Sequence, residues 1–145
     1  MSIAQTTTTS FRVELFEAVH NFNTDTFKIA LYTGTADIGP DTTAYTATGE
    51  ASGTGYTAGG NTLTVSTTPT YGTNAYGAIT AYVSFANSSW AGASFTARGA
   101  LIYNSSKSNK SVAVLDFGAD KTVTAGTFTV QFPTADANSA IVRIS

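Results

Sequence analysis

The chain has 145 residues, which suits one domain, and its hydrophobic (42%) and aromatic (12%) shares lie in the globular range. Only 11% of residues are charged, less than half the usual share of about 25%, and 27 threonines fill the gap. A net charge of −2 excludes broad phosphate neutralisation, the absence of cysteine excludes disulfides and thiolate chemistry, and a single histidine leaves little for imidazole catalysis.

In chain order, residues 1–9 read as an extended arm, polar, β-branched and free of charged side chains. Met1–Ser10 lacks the apolar core of a secretory signal, and no run approaches a membrane-spanning length. Two readings of the arm stand: a frayed terminus, or a tether that docks on a neighbouring subunit. Residues 10–145 read as a single folded domain. Ser10–Phe22 reads as a helix, with Ser10 as its cap and Phe11, Leu15, Phe16, Val19 and Phe22 on one stripe. Glu14 and Glu17 are then expected on a solvated face, and His20 as a satisfied or exposed surface histidine.

The period then changes to two. Thr26–Thr33 alternates Phe27, Ile29 and Leu31 against Lys28, Ala30 and Tyr32, a strand with one buried face. Thr42–Thr48 and Asn61–Ser66 are short strand candidates. Glycine makes 50–60 a loop, and 67–77 also reads as a loop. Ile79–Ala86 is a strand, and Asn87–Gly92 a turn that holds the sole tryptophan, Trp90. Phe95–Tyr103, Ser111–Phe117, Thr127–Phe132 and Ala140–Ile144 complete eight strand candidates, with a polar hairpin tip over 104–110 and a bulge at Gly99. With no helices between the strands, the class is mainly β: an antiparallel sandwich, jelly-roll-like, or a small barrel, with one N-terminal helix.

Motifs for chemistry are sparse. No nucleophile elbow accompanies His20. Asp37 and Asp41 flank Gly39–Pro40 and read as turn formers rather than a calcium loop. Gly60 is followed by Asn61 and Thr62, so 49–60 fails the phosphate-loop pattern. Lys107 and Lys110 share a hairpin tip and Arg98 stands apart, which makes no nucleic-acid stripe. The tripeptides that begin at Asn87, Asn104 and Asn109 match the glycosylation pattern by chance in a chain this rich in serine. Trp90 and Tyr56, with Tyr71, Tyr76 and Tyr82, offer flat rings for a glycan platform, against the plainer reading of Trp90 as a core plug. No enzyme activity, cofactor, metal, nucleic acid or membrane is expected.

The succession FRVELFEAVHNF at 11–22, TFKIALYT at 26–33, GEASGTGYTAGG at 49–60, ARGALIYN at 97–104, VAVLDFG at 112–118 and GTFTVQFP at 126–133 resembles a family of small β-rich virion structural proteins of tailed bacteriophages. The resemblance covers about residues 10 to 144, and ALIYN…AVLDFG…GTFTV is its most specific part. It implies a capsid decoration or cement subunit, made in the bacterial host cytoplasm and carried on the capsid surface. Its expected partners are the major capsid protein and copies of itself, a trimer being favoured. A tail, neck or fibre component, or a glycan-binding sandwich, is the alternative. The expected docking elements are the arm, with Ser2, Ile3 and Gln5, and the C-terminal strand, with Ile141, Val142 and Ile144.

Overall fold

A computed structural model describes residues 2–145. The chain is mainly β and forms two antiparallel sheets that pack as a sandwich, with one short N-terminal helix. The elements are β1 (Thr6–Thr7), α1 (Thr9–Phe16), β2 (Phe27–Tyr32), β3 (Asn61–Thr62), β4 (Val65–Thr73), β5 (Ile79–Phe85), β6 (Ser88–Asn104), β7 (Lys110–Val130) and β8 (Val142–Ile144). The large sheet runs β1-β7-β6-β2-β3 and the small sheet β4-β5-β8. Among the described residues no strand pairing joins the two sheets, so the barrel alternative falls. Among the described residues, no helix is long and apolar enough to cross a membrane.

The spine is the β6–β7 hairpin, of 17 and 21 residues. The sequence reads these strands as separate pieces because glycines interrupt the alternation. In the fold, the register of the hairpin shifts between Trp90 and Ala93 and between Ala97 and Gly99, so the glycines there mark bulges rather than breaks. The largest shift sets Phe117–Asp120 against Arg98 alone. Gly118 turns there with a φ of 79°, and its N–H donates to Asp116 Oδ1 at 2.8 Å. The expected turn at 87–92 is therefore the start of β6. The expected loop at 67–77 is mostly β4, an edge strand that tolerates Pro69 because one side of its ladder needs no donor. Thr42–Thr48 forms no strand and keeps one bridge, Ala44 to Lys110.

The main core lies between the sheets. Phe22 stacks on Phe27 at 4.5 Å, and both meet Phe85 of the small sheet. The other face of the large sheet is buried too. Ala30, Tyr32, Leu101, Tyr103 and Val114 are covered there by Ala36, Ile38, Tyr45 and Ile3. Strand β2, expected to have one wet face, is thus enclosed by the long 33–60 connection of its own chain.

The arm is not free. Thr6 and Thr7 pair with Val114 and Ala113, and the Ala4 N–H donates to Ile38 O while Ser2 O accepts from the Ile38 N–H, both at 3.0 Å. A β-branched, uncharged segment beside the open edge of β7 gains ladder bonds and burial by staying at home. The helix is also shorter than expected. Thr8, not Ser10, caps it by accepting from the Phe11 N–H at 3.3 Å. It ends where Ala18 turns left-handed, with bonds from Val19 N–H to Glu14 O and from Ala18 N–H to Leu15 O. Within the helix, Glu14 lies on the Phe11 side and is buried, while Phe16, five residues from Phe11, faces outward at 94% exposure.

Candidate functional site

Glu17 is exposed as expected, but Glu14 is not: with His20, Asp25 and Asn104 it forms a buried polar chain in which the histidine is satisfied. Asn104, fully buried, accepts the Ser106 N–H at Oδ1 (3.0 Å) and donates from Nδ2 to Asp25 Oδ2 (2.8 Å), which fixes its amide orientation. The same Nδ2 faces His20 Nδ1 at 3.1 Å, so that nitrogen accepts. His20 Nε2 therefore carries the proton, donated to Glu14 Oε1 at 3.2 Å. Lys110 Nζ closes the chain on Glu14 Oε2 at 2.7 Å, and Lys107 lies 3.8 Å from Asp25. Burial pushes the Glu14 carboxyl upward, but hydrogen bonds from Lys110 and His20 outweigh it and hold the group below its ordinary range. Asp25 is likewise held low: burial acts upward, and the Asn104 and Asn21 bonds act downward more strongly. Both nitrogens of His20 are engaged by these partners and no hydroxyl is bonded to either, so the chain ties α1 to the hairpin tip without presenting an activated nucleophile.

A second polar knot fixes the long connection. Glu50 accepts from Tyr45 (2.7 Å), Tyr56 (2.6 Å) and the Gly59 N–H (2.7 Å). The Tyr56 oxygen in turn accepts from the Leu31 N–H at 2.9 Å. Burial first, and the Glu50 carboxylate second, push the Tyr45 phenol up to about 12 and raise Tyr56 further. Trp90 and Tyr56 do not offer the open rings expected of a glycan platform, whereas Tyr71 and Tyr76 stand exposed. Trp90 is 4% exposed and packs against Tyr56, Phe95 and Phe128, with its Nε1–H left without a partner, while the hydroxyl of Tyr56 is fully engaged. Trp90 plugs the sandwich.

The remaining expected site residues are scattered. Ile3 seats against the bare α-carbon of Gly99, where a Cβ would meet its methyl at 2.8 Å. Gln5 Oε1 accepts the Asp116 N–H at 3.1 Å, and Ser2 is held by Ile38. Val142 is buried, Ile141 half-buried, and Ile144 stands 57% exposed. Asn104 is buried, so its glycosylation tripeptide is closed off. Among the described residues, no three His, Cys, Asp or Glu side chains gather as a metal site.

What sequence reasoning missed is a cleft of about 340 Å³ between α1 and the inner face of the small sheet. Ala81, Val83, Val142 and Ile144 form its floor, and Phe11 and Leu15 form its wall. No Asp, Glu, Lys or Arg lines it. The small sheet overhangs its partner here. Tyr71, Ala81 and Ile144 are direct cross-strand neighbours, with Ile79 two residues along, so all four share the uncovered face. Tyr71 is 73% and Ile79 61% exposed. The sequence does hold a signal: from Ala51 to Ala97 there is no charged side chain and no histidine. The fold and this surface define a β-sandwich with an open apolar face. No family model, curated protein or solved structure matches the chain.

Proposed function

We propose that this chain is a non-enzymatic structural subunit of a tailed-bacteriophage particle, a decoration or cement protein that binds the outside of the head and bridges major capsid protein subunits. One observation carries the reading. Glu14, His20, Asp25 and Asn104 are engaged with one another inside the fold, whereas the cleft beside them is mainly apolar, free of Asp, Glu, Lys and Arg, and continuous with the core. Such a surface works by adhesion over area, and a subunit repeated around a shell gains from many weak contacts at once. The sequence resemblance to small virion proteins supports the same reading.

The test is the copy number of the chain in purified particles relative to the major capsid protein. Hundreds of copies, with heads that lose thermal resistance when the chain is omitted, are expected. A dozen copies or fewer would transfer the protein to the neck, tail or fibres, and its absence from particles would end the proposal.

A further inference from the structure

We infer that the open edge of β7 over residues 127–131 takes an extended strand of another protein, added to the large sheet by main-chain hydrogen bonds. The inference rests on the virion reading above, in which that strand belongs to the major capsid protein, and adds the place and manner of the contact. The other sheet edges are blunted. β1 and β3 have two residues each and β8 has three, while β4 carries Pro69 and two register shifts. On the side of β7 away from β6, pairing is confined to Ala113 and Val114, so the strand beyond them has no neighbour there. From Thr122 to Val130 no charged side chain guards this edge, and Phe128–Val130 keeps a regular register with Ser88–Trp90.

Two hydrogen bonds fix which main-chain groups point outward. The Ser89 carbonyl accepts from Asn61 Nδ2 at 2.9 Å, so in the Ser89–Thr129 pair the main-chain groups point away from each other. The Phe132 N–H donates to Asn87 Oδ1 at 2.9 Å, at the β6 side. Both give one parity: Phe128, Val130 and Phe132 turn their N–H groups toward β6, and Thr127, Thr129 and Gln131 turn theirs out. A cleft of about 450 Å³ lies along this line. It touches all five consecutive residues Thr127–Gln131, which alternate between the two faces, so it follows the edge rather than either face. Phe117, whose ring lies 6.1 Å from that of Phe128, and Val123 give the cleft an apolar wall.

These observations select the occupant. A row of outward N–H and C=O groups is complemented by an extended backbone, not by a helix, whose own groups are already paired. Lys121 is the one charged residue that lines the cleft, and it has no ion-pair partner among the described residues. The added strand therefore brings a carboxylate to that end. The same edge of a second copy supplies none, because no acidic residue lies between Thr122 and Ala135.

The experiment measures binding of the purified full-length chain to heads prepared without it. Thr129→Pro removes one outward N–H and no bond to β6, a position at which an edge strand accepts proline. It is expected to bind heads roughly tenfold or more weakly than wild type at a similar melting temperature, and Thr129→Ser to bind like wild type. Hydrogen exchange by mass spectrometry gives a second reading that needs no variant. The outward amides of Thr127, Thr129 and Gln131 are expected to exchange roughly tenfold or more slowly on heads than in the free chain. Should Thr129→Pro fail to fold, the exchange reading alone decides. A folded Thr129→Pro that binds like wild type, or exchange over 127–131 that heads leave unchanged, overturns the inference and leaves the virion reading intact. Self-association of free wild type that Thr129→Pro disperses makes the occupant a second copy and also overturns it. Wild type that does not bind heads at all ends the virion reading, and this contact with it.

Discussion

Gly60 shows how tightly single residues are constrained in the long connection. Its φ is +74°, and a Cβ there would lie 1.8 Å from the carbonyl oxygen of Ile29 in the central sheet. Neither a rotamer change nor a small shift relieves a clash with strand backbone. Gly60→Ala is expected to lower stability by about 3 kcal/mol or more, read from the urea midpoint at unchanged slope. Gly77, equally left-handed at φ +80° but with nothing within 4 Å, carries only the conformational part of that strain. The composition marks both as glycines of a loop. Only the approach of β2 distinguishes them.

The helix α1 is bound to the rest of the molecule by its polar face as much as by Phe11. Glu14 lies three residues from Phe11, on the same side of a two-turn helix, and reaches His20 and Lys110. The Glu14 and Asp25 carboxyls are held below their ordinary values of 4.5 and 3.8, so on acidification the unfolded chain takes up protons first. Their stabilising contribution is complete above the ordinary carboxylate range and is lost as the pH falls through the lower, folded values. The urea midpoint of wild type is expected to drop between about pH 5 and about pH 3. Glu14→Gln, which removes one of the two titrating groups, is expected to start lower at neutral pH and to fall less steeply. A variant whose midpoint follows the wild-type pH curve in parallel would remove Glu14 from this account.

At the scale of the whole molecule, two layers cover the large sheet: the small sheet with α1 on one face, and the 33–60 connection with the N-terminal segment on the other. This gives the segment 2–9 a structural task. Removing residues 2–5 deletes two backbone hydrogen bonds to Ile38 and the contact of Ile3 with Gly99. The loss is expected to be roughly 2–4 kcal/mol, lowering the melting temperature by roughly 5–10 °C. A truncated chain that melts with wild type would return the segment to the role of a free tether.

Local patterning carried much of the fold. The alternation of Phe27, Ile29 and Leu31, the strand at 79–85, the hairpin tip and the mainly-β class all follow from side-chain period, because a sheet face that must be dry imposes a period of two on any sequence. The candidate surface was far less legible. Ile144 stands out as apolar, but whether it faces a neighbour or its own core depends on how far β5 and β8 extend past the sheet opposite. Phe16 reads as core when grouped with the apolar residues of the helix, yet five residues from Phe11 it faces away from the side that packs. Glu14, His20, Asp25 and Asn104 are spread over ninety residues, with no spacing that announces a cluster.

The sequence by itself determined the period of the strands, the poverty of charge and the scarcity of reactive side chains, because these are local or compositional and survive in any arrangement. The tertiary structure alone decided which apolar residues were left over once the core was full, and which polar ones were enclosed. Both depend on contacts between segments far apart in the chain, where burial is settled by what happens to lie opposite.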